Sequence, residues 1–206
     1  MVIDAYLSAA TTVSGLLRYP SLADAWDQPS ALREFRIGGL AGHLARAVFT
    51  TEGYLAAEVP PDPVLVDAGS YLGMLETMTP EDNARVVNRG EAEAGTGPDD
   101  LIARYDAALD RLRATLPTLS EDRPMPMLAG NVLPLRECLA TRMLELLVHA
   151  DDLAVSIGEP TPEFDEEAAD LVVTLLARFA RRRHGLPALL RAFSREERAP
   201  KSIAAF

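Results

Sequence analysis

Residues 135–157, LRECLATRMLELLVHADDLAVSI, carry the pattern that most restricts the fold. Met143, Leu144, Leu146, Leu147, Val148, Leu153, Val155 and Ile157 make such a helix apolar nearly all round, and a helix of that kind is buried. One stripe breaks the pattern. Arg142, Glu145, His149 and Asp152 follow at intervals of three, four and three, so they share a face. An unpaired polar group inside a protein costs about 1–3 kcal/mol, so the stripe demands partners within the core. Glu145 and His149 reach one ion from adjacent turns, and their ligand atoms are ones that zinc and similar divalent cations accept.

The rest of the chain also reads as helix. Long segments near 3–17, 37–57, 98–116 and 135–157 have apolar residues at spacings of three and four, which predicts an all-α four-helix bundle. Residues 21–35 read as a loop with a short helix capped by Ser30. Thr79 with Pro80 marks another helix start, and the Gly-rich stretch 93–98 ends that piece. Two short apolar runs around Ala129-Gly130-Asn131 predict one short β-hairpin, whose Pro126 and Pro134 confine it to edge strands. Gly158 is placed to end the apolar helix, and Asp165 to cap the next. Residues 1–160 therefore read as the bundle. Residues 161–206 read as a C-terminal helical extension packed on it, fading into a tail.

The polar stripe finds a partner in His43, which lies beside Leu40 and Leu44 on the second long helix. Bundles build metal sites from facing helices. His43, Glu145 and His149 supply three ligands and leave a fourth position open, which is the catalytic rather than the structural pattern. The competing reading pairs Arg142 with Glu145 and gives His149 and Asp152 a core hydrogen bond. His184, after three Arg and before Gly185, reads as a helix end. Cys138 reads as a buried core thiol, Trp26 as packing, and Arg178, Arg181, Arg182 and Arg183 as a solvated helix end. Arg191, Arg195 and Arg198 form a second basic stripe.

Charge narrows the partners. Lys and Arg total 20 against 31 Asp and Glu, a formal charge of −11. That balance disfavours nucleic acid and anionic membranes. One cysteine excludes an intramolecular disulfide and any cysteine-rich zinc site. No basic leader precedes the first helix, and no apolar run spans a bilayer, so the expected location is cytoplasmic. An apolar helix face near 70–78 is a candidate surface for a homodimer.

Two stretches resemble a known family. WDQPSALREFRIGGLAGHLARAV, residues 26–48, and RMLELLVHADDL, with Arg142, Glu145, His149, Ala150, Asp152 and Leu153, resemble the mycothiol-dependent maleylpyruvate isomerase N-terminal family. That family belongs to the DinB-like superfamily of metal-binding four-helix bundles. The resemblance covers about residues 1–160. It implies a divalent site, of zinc type, with His43, Glu145 and His149 as ligands, and mycothiol as a thiol cofactor in an actinobacterial cytoplasm. The isomerases carry a further α/β domain, whereas the 46 residues after Pro160 here read as helix.

Two functions are compatible with these residues. The first is a metal-dependent thiol S-transferase or isomerase, with a metal-bound thiolate attacking an electrophilic substrate. Asp152 then orients an imidazole, and Arg142 holds a substrate carboxylate or neutralises the stripe. A tail residue, Arg191 or Arg195, closes over the site. The second is a non-enzymatic metal-binding bundle with a structural, sensing or partner-binding role.

Overall fold

The computed structural model describes residues 1–73 and 78–205. Its long helices are α1 (Val2–Leu16), α3 (Ile37–Ala56), α6 (Pro98–Thr115) and α7 (Leu135–Ile157). Helices α1 and α3 each pack against both α6 and α7, which closes the four into the bundle that periodicity predicts. The shared core holds Tyr6, Val13, Leu40, Leu44, Tyr105, Leu109, Leu139 and Leu146, all essentially inaccessible to water. Tyr6 and Tyr105 keep their hydroxyls satisfied there by donating to the carbonyls of Ala47 and Ala10.

Further helices surround the bundle: α2 (Pro20–Asp24), α4 (Ala68–Leu72), α5 (Pro80–Glu93), α8 (Glu166–His184) and α9 (Leu186–Ser194). Thr79 and Asp82 form a reciprocal capping box at the start of α5, and Asp165 caps α8. Gly158, with φ +72°, closes α7 in a Schellman motif, in which Glu159 N–H donates to the Ala154 carbonyl. The hairpin pairs β1 (Pro124–Pro126) with β2 (Val132–Pro134), Met125 opposite Leu133, and Leu65 bridges to Val132 on the far side. Both strands begin or end on proline, as edge positions allow.

One local expectation fails. No helix starts at Ser30. Its hydroxyl closes a turn on Leu32, its N–H donates to the Phe35 carbonyl, and Pro29 bridges to Arg36. A serine satisfies its own backbone neighbourhood this way as readily as it caps a helix. The short helix lies earlier, where Pro20 takes the first helical position.

Helix α5 is a fifth element against α3, and glycines make the approach possible. A Cβ on Gly42 would collide with the Gly90 carbonyl, and one on Gly90 would meet the Gly39 carbonyl at 2.7 Å and the His43 Cβ at 3.0 Å. Backbone therefore packs on backbone at the turn that carries His43. Tyr71 and Leu72 are buried, so the apolar face expected near 70–78 is covered there, and Leu75 lies outside the described residues. Among the described residues, no helix is long and apolar enough to cross a membrane.

Candidate metal centre

Helices α3 and α7 face each other across the bundle and bring His43, Glu145 and His149 together. His43 Nε2 lies 3.2 Å from His149 Nε2 and 3.5 Å from Glu145 Oε2, and His149 Nε2 lies 3.3 Å from that same oxygen. The three atoms make a nearly equilateral triangle. A tetrahedral ion with bonds of about 2.0–2.1 Å holds its ligands about 3.3–3.4 Å apart, so this donor set fits a divalent cation. The side chains are 15–21% exposed, so the donors are largely buried yet still reachable from solvent.

Asp152 stands where the stripe placed it, with Oδ2 2.9 Å from His149 Nδ1. An Nδ1–H donated to Asp152 leaves the Nε2 lone pair pointing into the triangle, the tautomer that ligation requires. His43 is held differently: the Phe35 ring lies 5.3 Å from its own, and its Nδ1 is buried without a partner among the described residues.

The electrostatics favour a positive charge at the centre. Burial works against the Glu145 carboxylate, yet hydrogen bonds from His149 and His43 and the charge of Arg142 outweigh it and hold its pKa well below the usual range. Burial likewise opposes a charged His149, but Asp152 and then Glu145 overcome it and raise the imidazole to about 9. Without a cation, a proton on His149 fills that place. Arg142 is itself buried, and its Nε donates to Thr141 Oγ1 at 3.1 Å. It does not line the cavity described next, so it neutralises the stripe from behind Glu145.

A cavity of about 740 Å³ opens on the triad. Phe35, Met78, Val86, Leu144, Val148 and Ala205 form its apolar walls, and Asn83 and Arg183 add polar groups. Neither Arg191 nor Arg195 lines it. Arg191 lies on α9 beyond the Gly185 turn and Arg195 just past its end, and the basic residue at the cavity is Arg183, from a run that reads in sequence as solvated helix end. His184 does end its helix, and its Nε2 also meets the Ala204 carbonyl at 2.9 Å, tying the tail next to the cavity wall. Asn83 and Val86 escaped the sequence reading as well. Their signal was the 83, 86, 90 spacing, which puts both on the α5 face that Gly90 presses against α3.

The family profile described as mycothiol maleylpyruvate isomerase N-terminal domain matches residues 6–154. The chain belongs to that family. No curated protein matches the chain, and no solved structure does. The family match spans all three donors and Asp152. Arg183 and Ala205 lie beyond it, so this member of the mycothiol maleylpyruvate isomerase N-terminal domain family completes its cavity with its own α8 and tail.

Proposed function

We propose that the chain is a divalent-metal-dependent thiol S-transferase or isomerase of the cytoplasm, using mycothiol as its low-molecular-weight thiol. His43, Glu145 and His149 hold the ion, with zinc as the favoured metal. The observation that carries this reading is the triangle of donor atoms, which opens on a cavity large enough for a small organic molecule. When bound there, a divalent ion supplies the charge that lets a coordinating thiol exist as thiolate at neutral pH.

The chain's own residues do the rest. Asp152 fixes the His149 tautomer and ring angle. Hydrogen bonds from His149 and His43, with the charge of Arg142 behind them, keep Glu145 ionised in a buried setting. Phe35, Val86, Leu144 and Val148 exclude water from the reacting side of the triad, which strengthens every charge interaction in it. Arg183 offers its guanidinium to an anionic group on the electrophile from the cavity lining. An open cavity at the triad favours this reading over a metal kept only for stability, where the fourth position is closed by protein.

The test is turnover. Metal-loaded protein with mycothiol and a panel of electrophiles should show thiol-dependent product formation that His149→Ala abolishes. Absence of thiol-dependent turnover across a broad panel, from protein shown to carry its metal, rejects the enzymatic reading.

A further inference from the structure

The charge of this chain is unevenly distributed. Residues 178–206 hold eight of the 20 Lys and Arg but two of the 31 Asp and Glu, which is +6 there against −17 for residues 1–177. Within that basic segment α9 projects an apolar stripe. Leu186, Leu190 and Phe193, at i, i+4 and i+7, are 54%, 57% and 65% exposed, while Leu189 turns inward and is buried. Arg191 and Arg195 flank the stripe and are exposed. Scattered exposed leucines are ordinary, but three on one face of a nine-residue helix, bordered by arginine, make a surface shaped to be covered.

The opposite surface exists on the same molecule. Residues 58–66 carry Glu58 and Asp62 and no Lys or Arg, and they expose Val64 at 83% and Leu65 at 46%, while Asp67 caps α4 beside Arg178 and Arg182. Leu65 bridges to the hairpin, whose turn exposes Leu128 at 52% and whose residues 124–134 carry no charge. One patch is thus apolar and basic, the other apolar and acidic.

We propose that α9 of one copy docks on the 58–66 segment and hairpin turn of a second copy, forming a homodimer in which each chain offers its basic arm and receives its partner's. Charge complementarity selects the second copy as occupant. The −17 body repels an anionic membrane, whereas Arg191 and Arg195 on the α9 arm meet Glu58 and Asp62 of a second copy with opposite sign, and attraction of this kind guides the two surfaces into register. This inference is independent of the metal centre, because neither patch includes a residue of the triad.

Sedimentation velocity on the full chain tests it, with circular dichroism confirming that each variant folds. Wild type should sediment as a dimer whose dissociation constant rises at least tenfold between about 0.05 and 0.5 M salt, as screening shortens the reach of the charges. Arg191→Glu with Arg195→Glu should give monomer, and so should Glu58→Arg with Asp62→Arg. All four changes in one chain should restore the dimer. A wild type that stays monomeric at high concentration overturns the proposal, including the case where it floats with vesicles rich in anionic lipid. So does a dimer that both charge reversals leave intact.

Discussion

His149 Nδ1 lies 2.9 Å from Asp152 Oδ2, one turn along the same helix, and this bond decides which face of the imidazole is free. It commits Nδ1 to the carboxylate and turns Nε2 toward Glu145 and His43. Replacing the acceptor with an amide removes the charge and lets the ring choose its tautomer. Asp152→Asn is expected to weaken metal binding by about 10–100-fold with the fold intact. Competition with a chromophoric chelator measures it, and unchanged affinity would remove Asp152 from the site.

Arg183 should act on binding rather than on chemistry. It touches the cavity but stands apart from the donor triangle. Arg183→Gln is expected to raise KM for an anionic electrophile about tenfold, with kcat within a factor of about two and no effect on a neutral electrophile. A fall in kcat alone would place Arg183 in the reaction itself.

The glycines between α3 and α5 give a paired stability test. Gly42→Ala drives a methyl group into the Gly90 carbonyl and should cost about 1–3 kcal/mol. Gly53 lies on the same helix with open space around it, so Gly53→Ala should instead stabilise by about 0.5–1 kcal/mol. Thermal melts should move in opposite directions, by about 2–4 °C per kcal/mol in a chain of this length.

Cys138 gives a pH signature of folding. Burial, opposed by the charge of Arg142, raises its thiol from 9.0 to about 11. The folded chain keeps a proton that the unfolded chain releases, so the thiol contributes stability below pH 9 that is lost as pH rises through about 11. At pH 8 the native thiol should resist a disulfide reagent, and unfolding in guanidinium should release one reactive thiol per chain. Rapid reaction of the native protein would show that Cys138 is accessible.

Much of this fold is legible in the residues because it depends on local chemistry. Leu101, Tyr105, Leu109 and Leu112 mark α6 by spacing alone, and Thr79, Gly158 and Asp165 mark helix ends by their hydrogen bonds. The polar stripe on α7 is legible for the same reason, since polar groups on one face of a buried helix need partners, whether an ion or each other. What spacing cannot carry is how the remote pieces meet. Helix α5 enters the site because Gly42 and Gly90 let two backbones touch, and a glycine by itself does not announce its neighbour. Arg183 looks like the rest of its basic run, and only its position around α8 brings it to the cavity while Arg182 turns to the Gly69 carbonyl. Ser30 has two equally good local uses, and the tertiary bridge from Pro29 to Arg36 selects the turn.

In the proposed function, His43, Glu145 and His149 hold one ion with room for a thiol. Absorption spectroscopy of the cobalt-substituted protein tests this directly, because Co²⁺ accepts the same ligands and reports its coordination in the visible range. Titration should saturate at one Co²⁺ per chain with the intense bands of a tetrahedral site. Added mycothiol should then produce a sulfur-to-cobalt charge-transfer band, and His149→Ala should lose both signals. Tight Co²⁺ binding that survives His43→Ala, Glu145→Ala and His149→Ala together, or a saturated site whose spectrum ignores the thiol, would contradict the account.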